Sequence, residues 1–116
     1  MEALPRRLEA YKTKEGKEPF WDWYYSQDNV VKALVLVRFK RVEKGLFGDH
    51  KAEGKGVWAL RFDDGQGTRI YYGLTDNQKV VLLLSGGEKK RQGRDIQEAI
   101  AFWEDYKKNE KHKDQK

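Results

Sequence analysis

Arg61, Arg69 and the run Lys89-Lys90-Arg91 stand at the margins of three short apolar segments, "VWALRF", "TRIYYGL" and "KVVLLL". A guanidinium group can hold a phosphate through two parallel hydrogen bonds and an ammonium adds a compact charge, so this set has the chemistry to bind a phosphodiester. Two more cations, Lys51 and Lys55, lie just upstream in the glycine-rich "LFGDHKAEGKG", where His50 is a candidate general base. Tyr71 follows Arg69 by two residues, which on a strand puts both on one face. The bland alternatives are scattered surface charge and a merely exposed loop histidine. His112, in the charged C-terminal stretch, reads as inert.

Other chemistries lack their residues. There is no cysteine, hence no disulfide and no thiolate metal site. Neither an HExxH pair nor any clustered His–carboxylate spacing occurs, so no metal or other cofactor is expected. Ser26 and Ser85 are the two serines, and neither sits in a nucleophile elbow. "GGEKKRQG" lacks phosphate-loop spacing; Gly86 and Gly87 read as a turn, with an anion nest the less favoured option. No apolar run nears the roughly 18 residues of a membrane span, and "MEALPRRLEA" lacks the apolar stretch of a leader, so a soluble cytoplasmic protein is expected.

The net charge of +5 is a weaker guide than its distribution. Lys107 to Lys116 holds five lysines against two acids and reads as a flexible tail (107–116) behind a single domain (1–106). The positive charge of the body is bunched: eight cations against three acids from Lys32 to Arg61, and four against one from Ser85 to Arg94.

The elements that must position these groups follow from pattern. A weak alternation from Leu8 predicts a first strand, ended by Gly16. "EPFWDWYYSQ" predicts a short helix, with Pro19 at its first position and Phe20, Trp23 and Tyr24 on one face. "VVKALVLVRFKRVEKG" predicts a second helix, capped by Asp28, striped by Val31, Leu34, Val35 and Val42 and ended at Gly45. A glycine loop leads into three strands joined by "DDGQG" and "TDNQ", an antiparallel meander. "DIQEAIAFWEDY" predicts a third helix, with Ile96, Ala99, Ile100 and Trp103 on one stripe and Asp95 and Glu98 in capping-box spacing. Trp23 and Trp103 read as core, while Trp21 and Trp58 stay open for base stacking. The expected fold is α+β, β-α-α-β-β-β-α, with the helices packed on one face of a small antiparallel sheet. In that meander Arg61, Arg69 and Lys89 meet at one margin of the sheet.

Three stretches, "KGLFGDHKAEGKGVWALRF", "GQGTRIYYG" and "VVLLLSGGEKKRQGRDIQEAIAFWEDY", resemble the phage-derived addiction module killer (HigB-like) branch of the RelE/ParE toxin superfamily. The residues carrying the resemblance include Gly48, Asp49, Lys51, Gly54, Gly56, Val57, Leu60 and Arg61, then Gly65, Gly67, Arg69, Tyr71 and Tyr72. Gly86, Gly87, Lys89, Asp95, Ile96, Ala99 and Trp103 complete them. "PFWDW" is similar to the opening of that branch's first helix.

The resemblance implies the toxin of a type II toxin–antitoxin pair, a metal-independent endoribonuclease that enters the ribosome and cuts mRNA. It also implies a helix-turn-helix antitoxin as partner, with operator DNA reached only through that antitoxin. By position Arg69 and Lys89 correspond to the residues that contact the scissile phosphate. Attack by the RNA's own 2′-hydroxyl needs cations for the pentavalent phosphate, a base for the hydroxyl proton and an acid for the departing 5′-oxygen. The expected assignment gives charge stabilisation to Arg69 and Lys89, the base role to Lys51 or His50, and positioning or acid duty to Tyr71. Lys55, Arg61, Lys90 and Arg91 are expected to bind RNA. The alternatives are a ParE-like inhibitor of DNA gyrase and a catalytically silent prophage homologue that acts by protein binding. Two positions depart from the branch: Ala59 stands where an acid is common before "LR", and "DDGQGTR" replaces a Gly-Pro-Gly turn.

Overall fold

A computed structural model describes residues 4–114, the last four in backbone alone. The chain runs β1 (Arg7–Ala10), α1 (Pro19–Tyr25), α2 (Asn29–Glu43), β2 (His50–Gly54), β3 (Val57–Arg61), β4 (Thr68–Thr75), β5 (Val80–Glu88), a 3-10 turn over Lys89–Arg91 and α3 (Gln92–Asp114). The five strands form one mixed sheet in the order β1-β5-β4-β3-β2. Strands β2 to β5 are antiparallel to their neighbours, whereas β1 lies parallel to β5.

The expected α+β class holds, but three parts of the expected architecture are corrected. The sheet, expected to be antiparallel, is mixed, because β1 pairs parallel with β5. The sheet has a further strand, β2, inside the stretch read as a glycine loop. The helices also do not share one face. Phe20 and Tyr24 of α1 and Val31, Val35, Phe39 and Val42 of α2 pack with Leu60, Ile70, Tyr72, Val81 and Leu83. On the other side Ala99 and Trp103 of α3 pack with Val57, Ala59, Tyr71, Leu82 and Leu84. The reason is visible in β5, where Val80 to Leu84 are all buried. A strand apolar on both sides must be covered on both. The boundary expected at residue 106 falls within a helix, because α3 continues to Asp114.

Local chemistry sets the helix limits. Pro19 begins α1, where its missing N–H costs nothing. The Asp28 carboxylate accepts from the Val31 N–H at 2.9 Å and caps α2. Gly45, at φ +84°, turns the chain away past the end of α2, its N–H bonded back to the Val42 carbonyl. Asp95, expected as the cap of α3, lies inside its first turn because the helix begins at Gln92.

The glycine pair of β5 is neither a turn nor a nest. Both residues are strand, and each makes room for a side chain. A Cβ on Gly86 would meet the Trp23 indole at 2.3 Å, and one on Gly87 would meet the Asp95 carboxylate at 2.0 Å. Glycine therefore lets α1 and the start of α3 approach opposite faces of one strand. Among the described residues no helix is long and apolar enough to cross a membrane.

Candidate phosphate-binding site

Arg61 and Arg69 are register partners across β3 and β4, and Arg69 is in turn the partner of Gly87 on β5. Both arginines alternate with core residues of the α3 side, Ala59 and Tyr71, so they project from that face. The turn before Arg69 is built by Asp64, whose carboxylate accepts from the Thr68 N–H at 2.8 Å and from the Thr68 hydroxyl. Gly65 and Gly67, at φ +71° and +70°, supply the left-handed backbone this turn needs. A Cβ on Gly67 would lie 2.8 Å from Cβ of Lys89 and 3.5 Å from Nη1 of Arg69. The Arg69 guanidinium and the aliphatic stem of Lys89 thus both lie against one glycine. Arg69 Nη1 meanwhile donates to the carbonyls of Gly67 at 3.0 Å and Thr68 at 3.2 Å, which holds it at the turn.

Arg61 is not free in the same way. Its Nε and Nη2 donate to Oδ1 of Asp49 at 3.0 and 2.8 Å. Hydrogen bonding to Arg61 holds the Asp49 carboxyl below its usual range, with the charges of Arg61, Arg38 and Arg69 adding to the effect. Arg38 reaches from α2 to the same corner. Its Nη2 donates to the Arg61 carbonyl at 2.8 Å, Nη1 to the Phe47 and Asp49 carbonyls at 3.3 Å, and its guanidinium lies 4.3 Å from the Phe62 ring centre. Asp49→Asn is therefore expected to release the Arg61 guanidinium. Affinity for single-stranded RNA should rise, and log K against log[salt] should steepen by about 0.7 for one added phosphate contact. An unchanged slope in a salt-titrated binding assay would mean that Arg61 only braces the corner.

The remaining expected residues divide. Lys51 partners Ala59, itself the partner of Tyr71, so it shares the face of Arg69 and lies two strands, about 10 Å, from β4. His50 alternates with Lys51 and falls on the opposite face, its ring 5.7 Å from those of Phe47 and Trp58 and its Nδ1 2.8 Å from the Gly48 carbonyl. With the sheet between them, His50 and Arg69 do not share a substrate phosphate. Lys55, at φ +53°, is in the β2–β3 turn at the far end of β3 from Arg61, about 13 Å away along the strand, and does not converge. Lys90 and Arg91 are exposed on the 3-10 turn beside Lys89, and Lys90 lies 4.0 Å from Glu88. Tyr71 is fully buried with its hydroxyl unpartnered among the described residues, and burial raises its pKa to about 12. Trp21 and Trp58, left open for base stacking, pack against the α1–α2 core instead. The His112 side chain lies outside the described residues.

Pattern did not single out Asp95 beyond its place in a helix cap. Its carboxylate lies against Gly87, beside Arg69 in the register, and burial raises its pKa despite the opposing charges of Arg91 and Arg94. Asp95 also lines a cleft of about 520 Å³ between α1 and α3 that includes Trp23, Gln66, Arg91 and Arg94. Among the described residues no three His, Cys, Asp or Glu side chains are grouped to hold a metal ion.

No family model matches the chain. A protein of Haemophilus influenzae (strain ATCC 51907 / DSM 11121 / KW20 / Rd), described as uncharacterized, is 41% identical over 81 residues. Those residues make up 69% of this chain and 81% of that protein. The chain belongs to the family of this Haemophilus influenzae protein. In this member of the family the cations of three strands gather at one end of the sheet, with a half-buried carboxylate among them.

Proposed function

We propose that the protein is a RelE/ParE-type toxin of the addiction module killer branch, an endoribonuclease that cuts mRNA on the ribosome. The observation that supports this reading is the packing of the Arg69 guanidinium and the Lys89 stem against Gly67, with Asp95 against Gly87, the register partner of Arg69. The element order adds support. With β2 set aside, it is the strand, helix pair, three-strand meander and helix of the resemblance.

In the proposed reaction the RNA 2′-hydroxyl attacks the adjacent phosphorus, a 2′,3′-cyclic phosphate forms and the 5′-oxygen leaves with a proton. Arg69 and Lys89 stabilise the charge that builds on the phosphate. Lys51, on the same face two strands away, is assigned the 2′-hydroxyl proton. Asp95 replaces Tyr71 as the acid, because a carboxyl biased toward its neutral form can donate a proton that a buried phenol cannot deliver. Once the base is competent, cleavage should decline as pH rises further, because the share of Asp95 that keeps its proton goes on falling. Asp95→Asn should lower the rate and remove that alkaline limb, whereas Tyr71→Phe should leave the profile intact and stability unchanged or higher by about 1 kcal/mol. The acid assignment returns to Tyr71 if the phenylalanine variant loses the limb.

The reading also makes the protein cytoplasmic, with a helix-turn-helix antitoxin and the ribosome as partners. The deciding experiment incubates the protein with a defined mRNA, with and without translating ribosomes, and maps new 5′ ends. Codon-phased cuts that require ribosomes support the proposal; cuts in free RNA make it a ribosome-independent ribonuclease; an absence of cuts in both rejects it.

A second reading, a homologue that binds without cutting, has one observation in its favour: Arg61 is neutralised by Asp49 and Arg69 is bonded to its own turn. RNA binding without new 5′ ends in the same experiment would select it.

A further inference from the structure

The cleft between α1 and α3 exists because β1 is shorter than its neighbour. β1 accompanies β5 only from Val80 to Leu83 and ends with the Tyr11 N–H bonded to the Leu83 carbonyl at 2.9 Å. Beyond that point the outer edge of β5 opens into the cleft of about 520 Å³, room for one small ligand. The register shift at Tyr71 and Tyr72 and the two glycines make this edge a poor template for an added strand. The walls differ in kind. On the α1 side the half-buried Trp23 indole lies over Gly86 and supplies an aromatic surface. On the α3 side Arg91, Arg94, Asp95 and Glu98 recur at three- and four-residue spacing and so share one face.

Most other polar groups of the cleft are engaged. Gln66 Nε2 donates to the Thr68 hydroxyl at 3.1 Å, Gln27 Nε2 to the Trp23 carbonyl at 3.2 Å, and Glu88 lies 4.0 Å from Lys90. Asp95 is held against Gly87. Among the described residues the side chains of Arg91, Arg94 and Glu98 make no hydrogen bond or ion pair. This lining selects its occupant. Two guanidinium groups repel a bare cation, and the carboxylates of Glu88, Asp95 and Glu98 repel a bare anion. What fits is a planar group with adjacent acceptors for an arginine and adjacent donors for a carboxylate. Guanine alone among the RNA bases has both. Its O6 and N7 accept from a guanidinium fork, and its N1–H and N2 amino group donate to the two oxygens of a carboxylate. Adenine and cytosine each set one amino donor beside an acceptor, and uracil has a single N–H between two carbonyls.

We propose that this cleft is a subsite for a guanine base, which lies along Trp23 with Glu98 on its N1 and N2 edge and Arg94 on O6 and N7. Arg94 and Glu98 are about 6 Å apart along the axis of α3, on the scale of the two edges of one purine. Arg91, nearer Lys89, is left for the phosphate of the same nucleotide. Gly87 lines the cleft and is the register partner of Arg69, so the base sits beside the phosphate site already described. That the guanine belongs to an RNA chain rests on the function proposed above, whereas binding of the base does not.

The test titrates the isotope-labelled full chain, without ribosomes, with the 5′-monophosphates of guanosine, adenosine, cytidine, uridine and inosine, and with inorganic phosphate. Guanosine monophosphate is expected to bind at least tenfold more tightly than the others, shifting the amide signals of Gly86, Gly87 and residues 91–98 and the indole signal of Trp23. Inosine monophosphate lacks only the N2 amino group and so isolates the donor edge. Glu98→Gln and Arg94→Gln should each weaken guanosine monophosphate at least tenfold. Their melting curves should match the parent, since both side chains are exposed. No binding of guanosine monophosphate, equal binding of the other nucleotides or of inorganic phosphate, or shifts away from the cleft would overturn the proposal. Guanine binding in a protein that cuts no RNA would keep the subsite and remove the nuclease, while RNA cleavage without guanine binding would do the reverse.

Discussion

Arg69→Ala is expected to lower RNA cleavage by about 10²–10³-fold while the melting temperature stays close to that of the parent protein. The size follows from what one pre-positioned donor contributes to a transition state that accumulates charge, about 3–4 kcal/mol at sites of this kind. The stability should hold because the Arg69 guanidinium bonds to the Gly67 and Thr68 carbonyls of its own turn and braces no distant element. The turn itself is kept by Asp64, Thr68 and Gly67, which the substitution leaves in place. Arg69→Lys should recover part of the rate, since the charge returns without the planar fork. Single-turnover cleavage of ribosome-bound mRNA measures the effect. A variant that cuts at the parental rate would remove Arg69 from the reaction and leave its packing against Gly67 without a catalytic meaning.

Trp103→Ala should cost about 3–5 kcal/mol, a large share of the 5–15 kcal/mol that holds a domain of this size together. The indole is 7% exposed and covers the α3 side of the sheet by lying on two glycines at once. A Cβ on Gly56 would stand 2.5 Å from its Nε1, and a Cβ on Gly73 would stand 2.5 Å from Cε3. The ring also stacks on Tyr106 at 5.7 Å with the planes 9° apart. Gly73→Ala in the parent should destabilise by about 1–3 kcal/mol through overpacking. In the Trp103→Ala background the same methyl enters vacated space, so the two changes should be strongly non-additive. Urea unfolding of the four proteins completes the cycle. Simple additivity would mean that the indole does not rest on Gly73.

Why some of this was legible in the sequence and some was not comes down to which interactions are local. The second helix announced itself through Asp28, Val31, Val35, Val42 and Gly45, because capping and stripe are set within the helix, but Leu34, read into the stripe, is exposed and Phe39 takes the buried place. The face shared by Arg69 and Tyr71 was legible from strand alternation alone. Strand β2 was hidden because "HKAEG" carries no apolar period: it is an edge strand, mostly exposed, defined by its hydrogen bonds to β3. Placing all the helices on one face overlooked a signal that "VVLLL" did contain, since a run buried on both sides demands two covers. The glycines at 86 and 87 misled because glycine pairs usually turn the chain, whereas here each yields space to a residue far away in sequence. His50 and Asp95 exchanged importance for the same reason. Which face His50 takes follows from its register with Leu60, and what lies under Asp95 follows from the packing of α3, neither of which is written locally.

The parallel pairing of β1 with β5 has a kinetic meaning. Arg7 is the partner of Val80, so about seventy residues must be threaded before the first strand finds its neighbour, a non-local closure of the kind that slows folding. β5 also supplies side chains to both cores and carries the chain into Lys89. A nascent chain that has made everything up to β4 therefore holds two unfinished cores and half of its cationic cluster. Its first strand remains a bare edge until β5 emerges, so the same strand that completes the fold also times the appearance of the site.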